Sequence, residues 1–504
     1  MLNKNLILLF SFFLVLTISS IQICFAQTPD TTWTRIFGSS NNEYGYYAEQ
    51  TNDGGFILVG YVDISGNDDV WLIKTDASGD TLWTKTYGTY HYDYASCVHQ
   101  TADGGYIIFG ETDSFDPNFW EGWMIKTDSF GDTLWTKHLG DYAYYFIEDG
   151  LELPGGGYVF VGSTKISAGA PEDIWLVKTD SYGDTVWTKT FGGSENDIPT
   201  SICRTSDGGF IIGGVTKSFG SGDYDAWLIR TNSDGNLVWT KTYGDDRSNH
   251  ASDVKQTDDG GYIIAGSTEE LNNYHNAWLV KTDYNGDTLW TRSWGSDEHD
   301  GAMSVVQTPD GGFVWTGYRK ISTFNQDLWV VKTDLNGNAQ WSKTYGGTFN
   351  NIGRSINKTS DGSFIIAGDY YSEDTNTRDV WLLKVDPDIS YVERDEQTLI
   401  PETIELKQNY PNPFNPSTTI EFGIPESEFV TLAVYNLLGE QVGLLINENL
   451  SAGNYKADWD AGDLPSGIYI YKLIAGAAST GVAPTASGGC WSNRPTWSEL
   501  AWPF

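Results

Sequence analysis

Two kinds of side chain able to grip or transform a ligand recur where this otherwise regular chain varies. The aromatic set comprises Tyr44, Tyr46 and Tyr47; Tyr90, Tyr92 and Tyr94; Phe119 and Trp120; and Tyr142, Tyr144 and Tyr145. The acidic set comprises Glu195, Asp197, Asp245, Asp246, Asp297, Glu298 and Asp300. Flat rings stack on sugars or on cations. Carboxylates hold cations or, as a pair about 5–9 Å apart, hydrolyse glycosidic bonds. The candidate ligand-binding residues are Tyr44, Tyr46, Tyr92, Tyr94, Trp120, Tyr142, Tyr144, Asp197, Asp246, Asp297 and Asp300.

Other chemistry has little support in local motifs. The six histidines (His91, His99, His138, His250, His275 and His299) are scattered and form no His-Glu-x-x-His pair. The strings Asp283-Tyr284-Asn285-Gly286-Asp287 and Asn232-Ser233-Asp234-Gly235-Asn236 lack the closing Glu of a calcium loop and read as turns. Neither a Gly-x-Ser-x-Gly elbow nor a phosphate-binding loop occurs. No catalytic residue, metal site or cofactor is therefore expected. Formal charge is −37, from 67 acidic against 30 basic residues. That balance argues against nucleic acid or an anionic membrane surface as partner. Aromatics at 14% argue against disorder.

The elements that must position these side chains come from one unit copied seven times. Trp33, Trp83, Trp135, Trp187, Trp239, Trp290 and Trp341 stand 50 to 52 residues apart. Between them recur an Asp-Gly-Gly-aromatic turn (Asp53 to Phe56 is one), an apolar run, a Trp-Leu-x-Lys-Thr-Asp string and a Gly-Asp-Thr-Leu-Trp run. Two copies drift, at Pro154 to Tyr158 and at Asp361 to Phe364. Each unit reads as four short strands, in the second copy Cys97–Thr101, Tyr106–Thr112, Gly122–Asp128 and Thr133–Gly140. Double Gly suits a tight hairpin. Four strands per 50 residues, repeated seven times, predict a seven-bladed β-propeller over 27–386, with an open β-solenoid as competitor.

Closure gives a sharper expectation. The first copy begins at its fourth strand and the last ends after its third, so the N-terminal strand should complete the last blade and remove an open edge. The repeated Trp residues, two per copy, are expected between neighbouring blades. Burying about 200 Å² of each at roughly 25 cal/mol per Å² contributes about 5 kcal/mol before entropy. The Lys of each Trp-Leu-x-Lys string is expected to pair with a carboxylate on the surface. The turns joining strands one to two and three to four are nearly constant. The remaining connections vary, and in an up-and-down blade they share one face. The repeats resemble those of propellers in secreted bacterial proteins, a likeness that implies a fold rather than an activity.

Residues 1–26 read as a signal peptide: Lys4, an apolar stretch Leu6 to Leu16 too short to span a membrane, and a cut before Gln27. No later segment is long and apolar enough to cross a bilayer. Cys97, Cys203 and Cys490 are too few and odd to form a disulfide framework.

After 386 the period stops. Residues 387–408 read as a linker, 409–475 as a small β-sandwich and 476–504 as a low-charge tail. The sandwich opens with Asn409, Tyr410, Pro411, Asn412, Pro413, Phe414, Asn415 and Pro416, and its turns fall at Gly439 and Gly467. Together with Val434 to Gly439 and Leu464 to Tyr469, these residues closely resemble the type A (Por) C-terminal sorting domain of type IX secretion substrates in Bacteroidota and neighbouring phyla. That resemblance implies partnership with the outer-membrane type IX machinery and delivery outside the cell or onto its surface. The tail departs from it, lacking the expected basic residue near its end. The leading expectation is a secreted, non-enzymatic propeller that binds a glycan or protein. The alternative is a glycan-active hydrolase or lyase using loop carboxylates.

Overall fold

The computed structural model describes residues 31–386 except 65, 114–118, 141–143, 271–273, 297, 323–324 and 373–374. Beyond them it describes 392–395, 404–407, 409, 417–425, 428–439, 441–450, 453–461, 464, 469–475 and 498–500. The signal-peptide reading, Tyr142, Asp297, Pro411 to Pro416, Gly467 and Cys490 lie outside the described residues. No helix of the described residues is long and apolar enough to cross a membrane. The chain divides into two units, 29–389 and a C-terminal unit that takes in 390–504.

The first unit is a ring of seven four-stranded antiparallel sheets. The first blade holds Glu43–Gln50, Phe56–Ile64, Asn67–Thr75 and Thr81–Tyr87, innermost to outermost. In the second, the innermost strand is Asp93–Gln100, four residues longer at its start than the sequence suggests. The extension exists because Asp93 pairs with Thr112 and its buried carboxylate accepts the Thr112 hydroxyl. The hairpin glycines expected at positive φ are so: Gly54 has φ 84° and Gly104 φ 84°.

The seam closes as anticipated. Thr31–Phe37 forms the outer strand of the last blade, antiparallel to Thr377–Val385, with Phe37 opposite Val380 and Trp33 opposite Lys384. The side chains repeat the logic of the other blades. In five of them the third-strand Trp Nε1 donates to a hydroxyl thirteen residues later, as Trp175 does to Thr188 at 2.7 Å. In the last blade Trp381 Nε1 donates instead to Thr34 Oγ1 at 2.6 Å, across 347 residues of chain.

The two Trp families do different work. Third-strand members such as Trp227 (4% exposed) are core residues. Fourth-strand members are only half-buried, so each contributes less than a fully buried ring would. They lie edge-on to the next blade's first aromatic: Trp33 on Phe56 (5.4 Å), Trp83 on Tyr106 (5.9 Å), Trp290 on Phe313 (5.9 Å). They also cover a turn glycine of that blade; a Cβ on Gly131 would fall 2.8 Å from the Trp83 ring.

The repeated Lys pairs with an exposed carboxylate as expected, but from inside the blade. Its side chain is buried (Lys74, 4% exposed) and reaches Asp53 of its own blade's Asp-Gly-Gly turn at 3.0 Å, and Lys126 reaches Asp103 likewise. Arg230 with Asp207, Lys281 with Asp259, Lys332 with Asp310 and Lys384 with Asp361 repeat the pair. The apolar stem packs inside the blade while the ammonium emerges beside the exposed carboxylate. In the third blade Gly155 stands at the acid's position.

The C-terminal unit packs two sheets. One orders Val392–Asp395, Gly453–Asp460, Ser417–Ile424 and Glu405–Leu406; the other orders Gln441–Leu450, Glu428–Asn436, Tyr469–Ala475 and Ser498–Leu500. Ile420, Phe422, Val430, Leu432, Val434, Tyr455 and Trp459 fill the space between. Strands thus occur within the stretches read as linker and as tail. Buried Asn409 donates its backbone N–H to Tyr471 Oη at 3.1 Å and its Nδ2 to Thr418 Oγ1 at 2.9 Å. The motif's first residue therefore ties the incoming chain to both sheets.

Deleting Thr31–Ser40 removes one strand of the last blade and Trp33 from the first. We expect the Tm followed by circular dichroism to fall by more than about 10 °C. An unchanged melting curve would show that closure contributes nothing.

Candidate functional site

The axis of the propeller is where the copies diverge most. Every innermost strand carries a β-bulge at one position: Gly45/Tyr47, Ala95/Cys97, Ile147/Asp149, Pro199/Ser201, Ala251/Asp253, Ala302/Ser304 and Gly353/Ser355. A bulge turns two successive side chains towards the same side. The channel is accordingly lined by two stacked rings, one residue from each blade in each. One ring is Tyr46, Ser96, Glu148, Thr200, Ser252, Met303 and Arg354; the other is Tyr47, Cys97, Asp149, Ser201, Asp253, Ser304 and Ser355. With Tyr61, Tyr94, Glu111 and Lys255 they bound a cavity of about 530 Å³.

The second ring also holds the blades together. Ser201 Oγ accepts from Val254 N (2.8 Å), Asp149 Oδ2 from Ile202 N (2.9 Å) and Asp253 Oδ2 from Val305 N (3.1 Å). Ser304 Oγ accepts from Ile356 N and Ser355 Oγ from Ala48 N, both at 3.3 Å, the latter across the seam. Five of the seven blade junctions are latched in this way through one side chain at the axis.

Most of the aromatic residues singled out in the sequence come together around the cavity. Tyr44 stacks on Tyr61 (4.6 Å between centroids), Tyr61 meets Tyr94 edge-on (4.8 Å), Tyr94 stacks on Trp120 (5.7 Å), and Trp120 approaches Phe146 (6.1 Å). Tyr46 joins at Tyr61 and Tyr92 at Tyr94; Tyr144 meets Phe119 edge-on (5.6 Å) and shares Lys165 with Phe146. The result is an unbroken arc of half-exposed rings over the first three blades. Its ends carry Arg354 over Tyr46 (4.6 Å) and Lys165 over Tyr144 (5.4 Å), each also paired to a carboxylate, Asp369 and Glu172.

The loop acids do not join them. Asp246 is exposed on the crossover into the fifth blade, 3.9 Å from Arg247 Nε. Asp197 and Asp300 are fully buried where innermost strands begin. Asp197 accepts the Thr216 hydroxyl and Gly193 N, and Asp300 accepts Ser296 N and Lys320 N. Each faces a third-strand partner from the preceding blade, Asp173 and Asn276 respectively. The same junction recurs as Asp327 with Asn351 and as Asp379 with Glu43. A crossover glycine makes room for it: a Cβ on Gly295 would fall 1.9 Å from Asn276 Oδ1 and 2.9 Å from Asp300 Oδ2.

Asn351 hydrogen-bonds Asp327, while the Asn276 amide donates to Glu270. Where both partners are acids, a shared proton relieves their repulsion. Burial, then Glu43, raises Asp379 to about 6.

Inside the cavity the carboxyls are Glu111, Glu148, Asp149 and Asp253. Burial and then Glu172 push Glu148 up to about 7, while burial and Glu148 hold Glu111 well above the usual range. The sequence reading missed these acids, Tyr61 and Arg354 because it looked to loops, and they sit on strands. Aligning the seven copies would have shown their signal, a strand position that varies freely inside an otherwise constant unit.

The junction yields a prediction with a definite sign. A carboxyl whose folded pKa is raised stabilises fully below its unfolded value near 3.8 and loses that contribution as pH rises through about 6. Asp379→Asn supplies a permanent donor. At pH 8 the Tm should therefore rise by about 2 °C, with no gain at pH 4. A lower Tm at pH 8 would show that no proton is shared.

Residues 408–481 match the secretion system C-terminal sorting domain. The regulatory protein FlaEY of Caulobacter vibrioides is 27% identical over 176 residues, 29% of this chain and 18% of that protein. The chain thus spans less than a fifth of the length of this curated relative. Among solved structures, Sqt1 from Chaetomium thermophilum is similar with a TM-score of 0.44 and 10% identity, covering 71% of this chain and 99% of that one. The Pan2 WD40 domain of Neurospora crassa is similar with a TM-score of 0.42 and 9% identity, covering 68% and 90%. Both scores are below 0.5, and the architecture stands on the pairing of the chain's own sheets. The protein is a seven-bladed β-propeller followed by a secretion system C-terminal sorting domain.

Proposed function

We propose that this is an exported, non-enzymatic propeller that holds a carbohydrate chain on the aromatic arc at one mouth of its channel. The sorting domain implies type IX export through the outer membrane, with the propeller as cargo. One observation carries the binding reading: Tyr44, Tyr61, Tyr94 and Trp120 form consecutive ring contacts of 4.6 to 5.7 Å beside a polar cavity. Half-exposed rings on a rigid ring of sheets give a sugar an apolar face at little entropic cost. The cations at the arc's ends are already neutralised by acids, which favours an uncharged glycan over an anionic one.

Glu111 and Glu148 support the alternative, a glycan hydrolase, because two raised carboxyls share one cavity. Both are raised, however, whereas a hydrolase needs one acid kept protonated and its partner ionised.

Tryptophan fluorescence of the full chain, titrated with neutral and amino-sugar oligosaccharides, tests the proposal. Saturable quenching is expected, weakened about tenfold by Trp120→Ala or Tyr94→Ala. Failure of every glycan to quench would overturn it. New reducing ends that vanish in Glu148→Gln would instead establish the hydrolase.

A further inference from the structure

We propose that Cys97, His99 and Asp149 form a binding site for one divalent transition-metal ion, of which zinc is the type, in the channel wall between the second and third blades. One ligand atom from each lies within 4.8 Å of the others. Ligands about 2.0–2.3 Å from zinc in tetrahedral array stand roughly 3.3–3.8 Å apart, so small side-chain adjustments close the set.

The local sequence explains the placement. Cys97 and His99 are two apart on one innermost strand, and such residues share a face. Asp149 is the ring counterpart of Cys97 in the next blade, 52 residues on. The trio spans a blade junction, so no contiguous motif reports it.

His99 provides an independent observation. Its Nδ1 lies 2.8 Å from Glu49 Oε2, while Glu49 Oε1 is fixed by Gln100 N at 2.6 Å. Its buried Nε2 has no hydrogen-bond partner. A carboxylate on one imidazole nitrogen with the other left open is how proteins orient a metal-binding histidine. An orphaned buried ring nitrogen is otherwise destabilising.

The surroundings suit a cation. Glu49, Asp149 and Asp253 supply negative charge, and the nearby Lys255 is spent on Asp253 at 2.9 Å. Cys97 and Asp149 both line the cavity, which leaves a fourth position open to solvent or ligand.

Cobalt(II) titrated into chelator-treated full-length protein is the probe, followed by thiolate-to-cobalt charge-transfer absorbance and displaced by zinc. One ion per chain is expected, with the band lost in Cys97→Ser and unchanged in Cys203→Ser. His99→Gln should abolish tight binding, and Glu49→Gln, which keeps all three ligands, should weaken it by about 10–100-fold. Circular dichroism establishes that each variant folds; if Cys97→Ser or His99→Gln does not, Glu49→Gln decides. Absence of the band in the wild type, or affinity untouched by Glu49→Gln, would overturn the site. The readout is independent of any glycan.

Discussion

Everything in the propeller depends on the antiparallel pairing of Thr31–Phe37 with Thr377–Val385. An open array of seven blades would expose an unpaired strand edge and leave the first and last blades without a neighbour. Closure converts those ends into one more copy of a contact already made six times. Trp33 covers Phe56 as Trp83 covers Tyr106, Arg35 reaches Asp80 as Lys85 reaches Asp132, and Gln50 receives Ser360 N as Gln100 receives Asn52 N. No disulfide is needed, and Cys97 and Cys203 are free.

Closure also creates the site. A bulge on one isolated strand only bends it; seven bulges in a closed ring aim fourteen side chains at a common axis. One ring is spent on latching neighbours, and hydroxyls and carboxylates recur there because each must accept a backbone N–H. The other ring latches through Ser96 and Thr200, whose hydroxyls donate to Ile147 O and Ala251 O of the next blade, and otherwise drifts from Tyr46 through Glu148 to Arg354. Chemically distinctive side chains are thus concentrated on one side of the axis, over the first three blades. Rings, acids and the Cys97–His99–Asp149 cluster gather there, while the fourth to sixth blades contribute mainly small polar groups.

The repeats show which features folding requires. The buried Lys with its turn Asp survives in most blades with either Lys or Arg, since a stem and a terminal cation suffice. Its absence from the third blade, where Gly155 stands in place of the acid, shows that the pair is an aid and not a condition. The junction acids behave similarly. Asp and Asn interchange on either side, as Asp327 facing Asn351 and Asn276 facing Asp300 show.

Period, strand number and seam were legible in the residues alone, because turn chemistry and alternation are local and a Trp every 50 to 52 residues leaves little freedom. The aromatic arc was legible in part: Tyr44, Tyr46, Tyr94, Trp120 and Tyr144 stand out as variation between copies. Asp197 and Asp300 vary in the same way, yet they are buried braces. Exposure depends on where a strand begins, which no loop composition reveals. Tyr61, Glu111 and Glu148, the buried Lys and the meeting of Cys97 with Asp149 were decided only by the tertiary structure. Cys97 meets Asp149 because neighbouring blades pack side by side and bring side chains a whole repeat apart into reach, a distance that spacing along the chain does not encode.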